Sequence, residues 1–184
     1  MTALDTIKQI QGLIGTDQDG HFEGESRAAL ATLLAADPAS PWPPVPGVHT
    51  VMASSFADPR DVAAFKACKA EGKSDQECFS VGDNGVGLWG DSTVEGSGPK
   101  CALPPEDWQA KWGPGEAARH KPVLVTRQLL DGTVLKVVCA LDDTMPHKRD
   151  ITNGAGIDLN PDACKALQLT PPVMARVTWQ WADV

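Results

Sequence analysis

Residues 38–47 read PASPWPPVPG, and five of those ten residues are proline. Proline locks φ and lacks a backbone N–H, so this stretch cannot sit inside a helix or a central strand. It favours extended polyproline geometry instead. It therefore marks a linker between a short segment, 1–37, and a longer one, 48–184. The longer segment has ordinary domain size and can bury a core. The chain's 17 Gly and 15 Pro favour turns and short strands over a helical bundle.

Charge removes some functions. Twenty-four acids against 16 bases give a net charge of -8, which excludes broad phosphate-backbone binding, so no nucleic-acid partner is expected. No apolar run is long enough to span a membrane. Residues 1–20 lack the basic start, apolar stretch and small-residue cleavage site of a secretory signal. A monomer is the expected state.

The short segment shows two apolar stripes at helical spacing. Leu4, Ile7, Ile10, Leu13 and Ile14 form one; Ala28, Ala29, Leu30, Leu33 and Leu34 form the other. A Gly- and acid-rich loop joins them. In the longer segment, Asp58 as cap and Pro59 in the first turn predict a helix over 57–70. Ser74 or Asp75 can open a short turn towards Cys78 and Phe79. Strands are predicted at 86–89, 122–127, 133–141 and 173–181, and a helix at 161–167 behind the cap candidate Asn160. Short strands with a few helices suggest a small β-barrel with insertions.

The five cysteines are Cys68, Cys78, Cys101, Cys139 and Cys164. There is no CxxC and no His at metal spacing, so neither a metal nor a cofactor is expected. No signature marks a nucleophilic Cys. All five can be small buried residues. If the protein works outside the cell, Cys68 with Cys78 is the first pair to expect, because only a short polar excursion separates them.

Two stretches resemble known families. IKQIQGLIGTDQDGHFEGESRAALATLLA, residues 7–35, resembles part of a peptidoglycan-binding module: a Gln-containing helix, a turn at Asp19, Gly20, His21, Phe22, Glu23 and Gly24, then an Ala-rich helix. A plain helical hairpin fits the same residues. The stretch 133–181 resembles the second half of a double-psi β-barrel, the barrel of rare lipoprotein A, expansins, barwin and their glycoside-hydrolase relatives. Its buried strand ends at Asp142 or Asp143. A turn of Asn153, Gly154, Ala155 and Gly156 leads to Ile157, Asp158 and Leu159, then a short helix and a final strand. Upstream, VGLWGDST within 81–93 would be the first barrel strand and ALPPEDW a link, while 50–80 matches nothing.

The resemblance implies a fold that is mainly β with α: a six-stranded double-psi β-barrel with short helices over 48–184, a helical insertion near 57–80, and a small N-terminal helical segment. It also implies peptidoglycan or another polysaccharide as partner. Delivery to the cell wall would then go by phage lysis or a secretion machine. Cleaving a glycosidic bond needs a proton donor, and an inverting hydrolase needs a second carboxylate to activate water. The position of Asp158 corresponds to the acid. Its alternative role is to cap the following helix. Asp91, with Trp89 nearby as a sugar-stacking surface, would hold the base position. Asp143 would orient the acid or the sugar, while Asp142 is expected to face solvent. Gly154 and Gly156 let a polymer approach closely, with Asn153 beside them. His147 either assists proton transfer or is a solvated loop residue. Trp179 and Trp181 face one side of the last strand, as platform or as core, and Trp108 and Trp112 suit helix packing. The expected activity is glycan cleavage by a lytic transglycosylase or glycoside hydrolase. Its rivals are an expansin-like wall-binding or wall-loosening module and a structural virion or effector barrel.

Overall fold

The computed structural model describes residues 47–182, so the expected helical segment and nearly all of the proline stretch lie outside the described residues. Six strands close a barrel: β1 (His49–Ser55), β2 (Lys100–Leu103), β3 (Pro122–Gln128), β4 (Val134–Thr144), β5 (Ala155–Leu159) and β6 (Ala175–Trp181). Their order around the barrel is β1-β5-β2-β4-β3-β6. The pairs β1/β5 and β2/β4 are parallel, and the other neighbours are antiparallel. Parallel neighbours cannot be joined by a tight hairpin, so both parallel pairs require crossovers. This mixed closed sheet, mainly β with short helices, is compatible with a double-psi barrel.

Alternation along the strands fills the interior. Val123 and Val125 on β3, Ile157 and Leu159 on β5, and Val177 and Trp179 on β6 are all buried. Each such side chain contributes about 1.5–3 kcal/mol by leaving water. Trp179 is therefore core, with Trp181 packed partly buried against it.

Among the described residues, four α-helices lie between the strands in sequence: α1 (Pro59–Ala70), α2 (Asp75–Cys78), α3 (Pro105–Trp112) and α4 (Pro161–Ala166). Asp58 and Pro59 begin α1 as the sequence predicts. Ser74 opens α2 through a capping box with Glu77. Asn160 caps α4, its Oδ1 accepting from Ala163 N at 3.0 Å and Lys100 N at 2.9 Å. The Asn160 Nδ2 donates to the carbonyls of Thr93 and Gly98. One fully buried amide thus ties α4, β2 and the long 79–99 loop together.

The pair Cys68–Cys78 is a disulfide that joins α1 to α2. Cys101, Cys139 and Cys164 are free and buried. Burial pushes the Cys164 thiol up to about 12 and raises Cys101 well above the usual thiol range, so neither is a ready nucleophile. Breaking the disulfide frees a short loop in the unfolded chain and should lower stability by about 2 kcal/mol. Thermal unfolding with and without reductant checks this; equal midpoints would refute it.

Several expectations need correction. The segment 86–89 is not a strand: it is loop, with a single bridge between Val86 and Ser92. The first barrel strand is β1, inside the region that resembled nothing. Glycines explain the difference, since Gly85 and Gly90 have positive φ and turn the chain back on itself. A Cβ on Gly87 would strike the carbonyl oxygen of Asp142, so this loop lies flat on β4. Gly87→Ala should cost about 1–3 kcal/mol through that collision, read as a lower denaturation midpoint. The link 105–112 is the helix α3, with Trp108 buried as its spacing suggested. The strand predicted to end at 141 runs on to Thr144 as β4. Asp142 lies at a bulge in it and is fully buried rather than facing solvent.

Candidate functional site

Register places four residues in one row across the sheet. Ser54 on β1 pairs with Asp158 on β5, Asp158 with Ala102 on β2, and Ala102 with Asp143 on β4. Asp158 and Asp143 are thus two strands apart, about 10 Å between Cα atoms, with only a methyl side chain between them. The β4 bulge sets this alignment, because it skips Asp142 and brings Asp143 opposite Ala102. Ala102 belongs to an apolar cluster with Met145 and Ala155, against which Phe56 and Ile151 pack. That cluster keeps water from one flank of the row.

Burial dominates the electrostatics. Asp158 is raised above the ordinary aspartate range by desolvation first, and then by the nearby Asp83; the Ser54 hydroxyl, which donates to Asp158 Oδ1, partly opposes this. Asp143 is pushed up to about 6, again chiefly by desolvation, with Asp83 and Asp158 adding repulsion. Two backbone N–H groups limit the rise: Thr144 N donates to Asp143 Oδ1 at 2.8 Å and Leu88 N to the same oxygen at 3.0 Å. With Oδ1 so occupied, Oδ2 is the natural seat of a proton.

Asp83 is the third carboxylate, and Ser54 the hydroxyl, that sequence reasoning missed. Asp83 sits in the 79–99 loop, where its Oδ1 accepts from Gly85 N at 2.6 Å and its own N–H donates to Asp61 O. A Cβ on Gly82 would run into the α1 backbone at Asp61 and Phe65, so glycine lets this loop approach α1. The only sequence signal was the DNG turn, 83–85, and that reads equally well as a plain loop. An open cleft of about 310 Å³ lies beside Asp83, lined by Ser55, Phe56, Asp61, Phe79 and Val81 among others.

Asp158 lies on β5 and does not cap α4, a task that Asn160 performs. Asp91 does not lie on a barrel strand. Arg119 grips both its oxygens, at 2.9 and 3.0 Å, and His120 Nε2 lies 3.0 Å away. These bonds, with Arg119 foremost, hold Asp91 down to about 2, which makes it a weak base. Trp89 packs edge-on to Trp108, with ring centroids 5.8 Å apart. His147 Nδ1 meets Glu106 at 3.0 Å on the surface. Asn153 closes a turn by accepting from Ala155 N, and Gly154 has a positive φ, whereas Gly156 does not. Gly156 needs to be glycine for space, since Val51 packs against its Cα. Gly154 and Gly156, with His49, Lys148 and others, line a separate cavity of about 240 Å³.

Among the described residues, one trio brings possible metal-ligand atoms within 4.8 Å of one another: Asp91, His120 and Asp142. Cations already occupy it. Lys100 Nζ contacts Asp142 as an ion pair, and His120 Nε2 lies 3.2 Å from Asp142 Oδ1, both without hydrogen-bond alignment. Arg119 neutralises Asp91, so the trio forms an ionic knot binding β2, β4 and the loop. No protein-family model matches the sequence, and no curated protein matches it.

Proposed function

We propose that the protein binds and cleaves cell-wall glycan, peptidoglycan foremost, with Asp158 as proton donor. The observation that carries this reading is the Ser54–Asp158–Ala102–Asp143 row, in which desolvation raises Asp158 above the ordinary aspartate range and Asp143 to about 6, with Asp83 beside them lining an open cleft. A carboxyl group that holds its proton more tightly than a free aspartate is what a general acid requires. The closed mixed barrel fits the double-psi families that the sequence resembles, and the Cys68–Cys78 disulfide fits work outside a reducing compartment.

The chemistry divides on the partner carboxylate. Asp91 is held by Arg119 and is poorly suited to activate water. This favours single-acid chemistry, a lytic transglycosylase in which the sugar's own hydroxyl attacks. If water attacks instead, Asp143 is the better-placed second carboxylate, and the two-strand spacing suits inverting geometry over retaining. An expansin-like module that binds without cleaving uses the same row, and the captive Asp91 favours that second reading as well. The test is digestion of purified peptidoglycan, with soluble fragments identified by mass spectrometry. Anhydro-sugar ends are expected for transglycosylation and reducing ends for hydrolysis. If the unaltered protein releases no fragments, cleavage is refuted and the binding reading remains.

A further inference from the structure

The insertion that precedes the 79–99 loop has no role in closing the barrel. Its α1 and α2 stand against the carboxylate row through Asp83, and they carry an exposed aromatic. Phe79 ends α2 with 54% of its surface open to solvent, and Val81 beside it is 55% exposed. A soluble fold gains nothing from two neighbouring exposed apolar groups unless something covers them. Phe79 is also held still. One flank meets Phe65, with ring centroids 5.0 Å apart. The preceding residue, Cys78, is in the disulfide, and its carbonyl accepts from both Val81 N and Gly82 N at 3.1 Å.

We propose that the cleft between Phe79 and Asp83 is a subsite for one neutral sugar ring, stacked on Phe79 and hydrogen-bonded to Asp61 and Asp83. This rests on the glycan reading of the Asp158 row and names what lies beside it. A sugar ring presents an apolar C–H face and a rim of hydroxyl donors. The cleft presents the complement: the Phe79 ring, with Phe56 and Val81, and the carboxylates of Asp61 and Asp83 as acceptors. None of its lining residues is basic, and Asp61 and Asp83 are both acidic, so an anionic sugar is disfavoured. A volume of about 310 Å³ is at the small end of ligand sites and suits a single ring rather than a long chain. Asp83 lines the cleft and is close enough to Asp143 and Asp158 to raise both, which puts the subsite beside the acid row.

The probes are tetra-N-acetylchitotetraose, which is neutral, and trigalacturonate, which is anionic. Each is titrated into the full chain and followed by calorimetry and by amide chemical shifts. The neutral probe should bind and shift the amides of residues 79–83, while the anionic one should not. Phe79→Ala should weaken binding roughly tenfold, as loss of one stacking face implies. Phe79→Trp should retain it, and because residue 79 is on the surface, both variants should fold. Equal affinity of Phe79→Ala and the unaltered protein, equal binding of both probes, or no binding of the neutral probe would each overturn the subsite. Binding that depends on Phe79 without peptidoglycan cleavage upholds the subsite and refutes the glycosidase. Normal cleavage with indifference to Phe79 does the reverse.

Discussion

Asp158→Asn should abolish peptidoglycan cleavage, with a loss of about 10²–10⁴-fold, the usual contribution of a positioned general acid. Asparagine keeps the shape and can still accept from Ser54, but it has no proton to give. The fold should survive, because Asp158 lies on the face of β5 opposite the buried Ile157 and Leu159. Binding of the glycan should survive as well, so the variant should be selectively defective in turnover. On the proposed mechanism the acid must be protonated to work, so fragment release by the unaltered protein should fall as pH rises through the raised pKa of Asp158. Fragment release by the variant within threefold of the unaltered protein would remove Asp158 from the mechanism.

Asp143→Asn should stabilise the protein at pH 7 while impairing its chemistry. Asp143 has a folded-state pKa of about 6, above the ordinary 3.8. The folded protein therefore holds this proton more tightly than the unfolded chain does. Its favourable contribution is complete below pH about 4 and is lost as pH rises through about 6. At neutrality the ionised carboxylate is a liability, by up to about 3 kcal/mol if the whole shift is felt. A neutral asparagine avoids that cost. The two proteins should unfold at the same temperature near pH 4, and the variant should be the more stable by pH 7. Activity should fall at the same time, the usual trade between stability and a strained polar site. A stability difference that is flat from pH 4 to pH 7 would show that Asp143 titrates normally and that the row is not desolvated.

How much of this was legible in the sequence depends on the range of the interaction involved. Local signals are the legible ones. Ser74 and Asn160 mark helix starts because their caps act within one turn, and Pro59 marks one by its fixed φ at the first helical position, with no side-chain cap bond from Asp58. The long apolar run of β4 and the final strand identify themselves by composition. Cys68 and Cys78 are recoverable because the pair is close in sequence. The strand β2 is not: it has four residues, KCAL, and nothing in so short a run separates strand from link. β1 escapes notice because HTVMASS mixes small and polar residues, and its pairing partners lie over a hundred residues away. Conversely, VGLWGDST looks apolar enough for a strand, but its glycines turn it into a loop pressed on β4.

For the site, the sequence alone singled out Asp158 and Asp143 as candidate carboxylates in a glycine-rich, strand-ending context. Only the tertiary structure decided which carboxylates lie together. A one-residue bulge in β4 buries Asp142 and brings Asp143 into the row with Asp158. A loop glycine admits Asp83, and an arginine from another loop captures Asp91. Proton affinity depends on desolvation and on charges across strand-to-strand distances, and both arise only when the barrel closes. The proline stretch shows the contrast. Its backbone constraint lies within each residue and needs no packing partner, so the expectation of a linker there rests on the sequence alone.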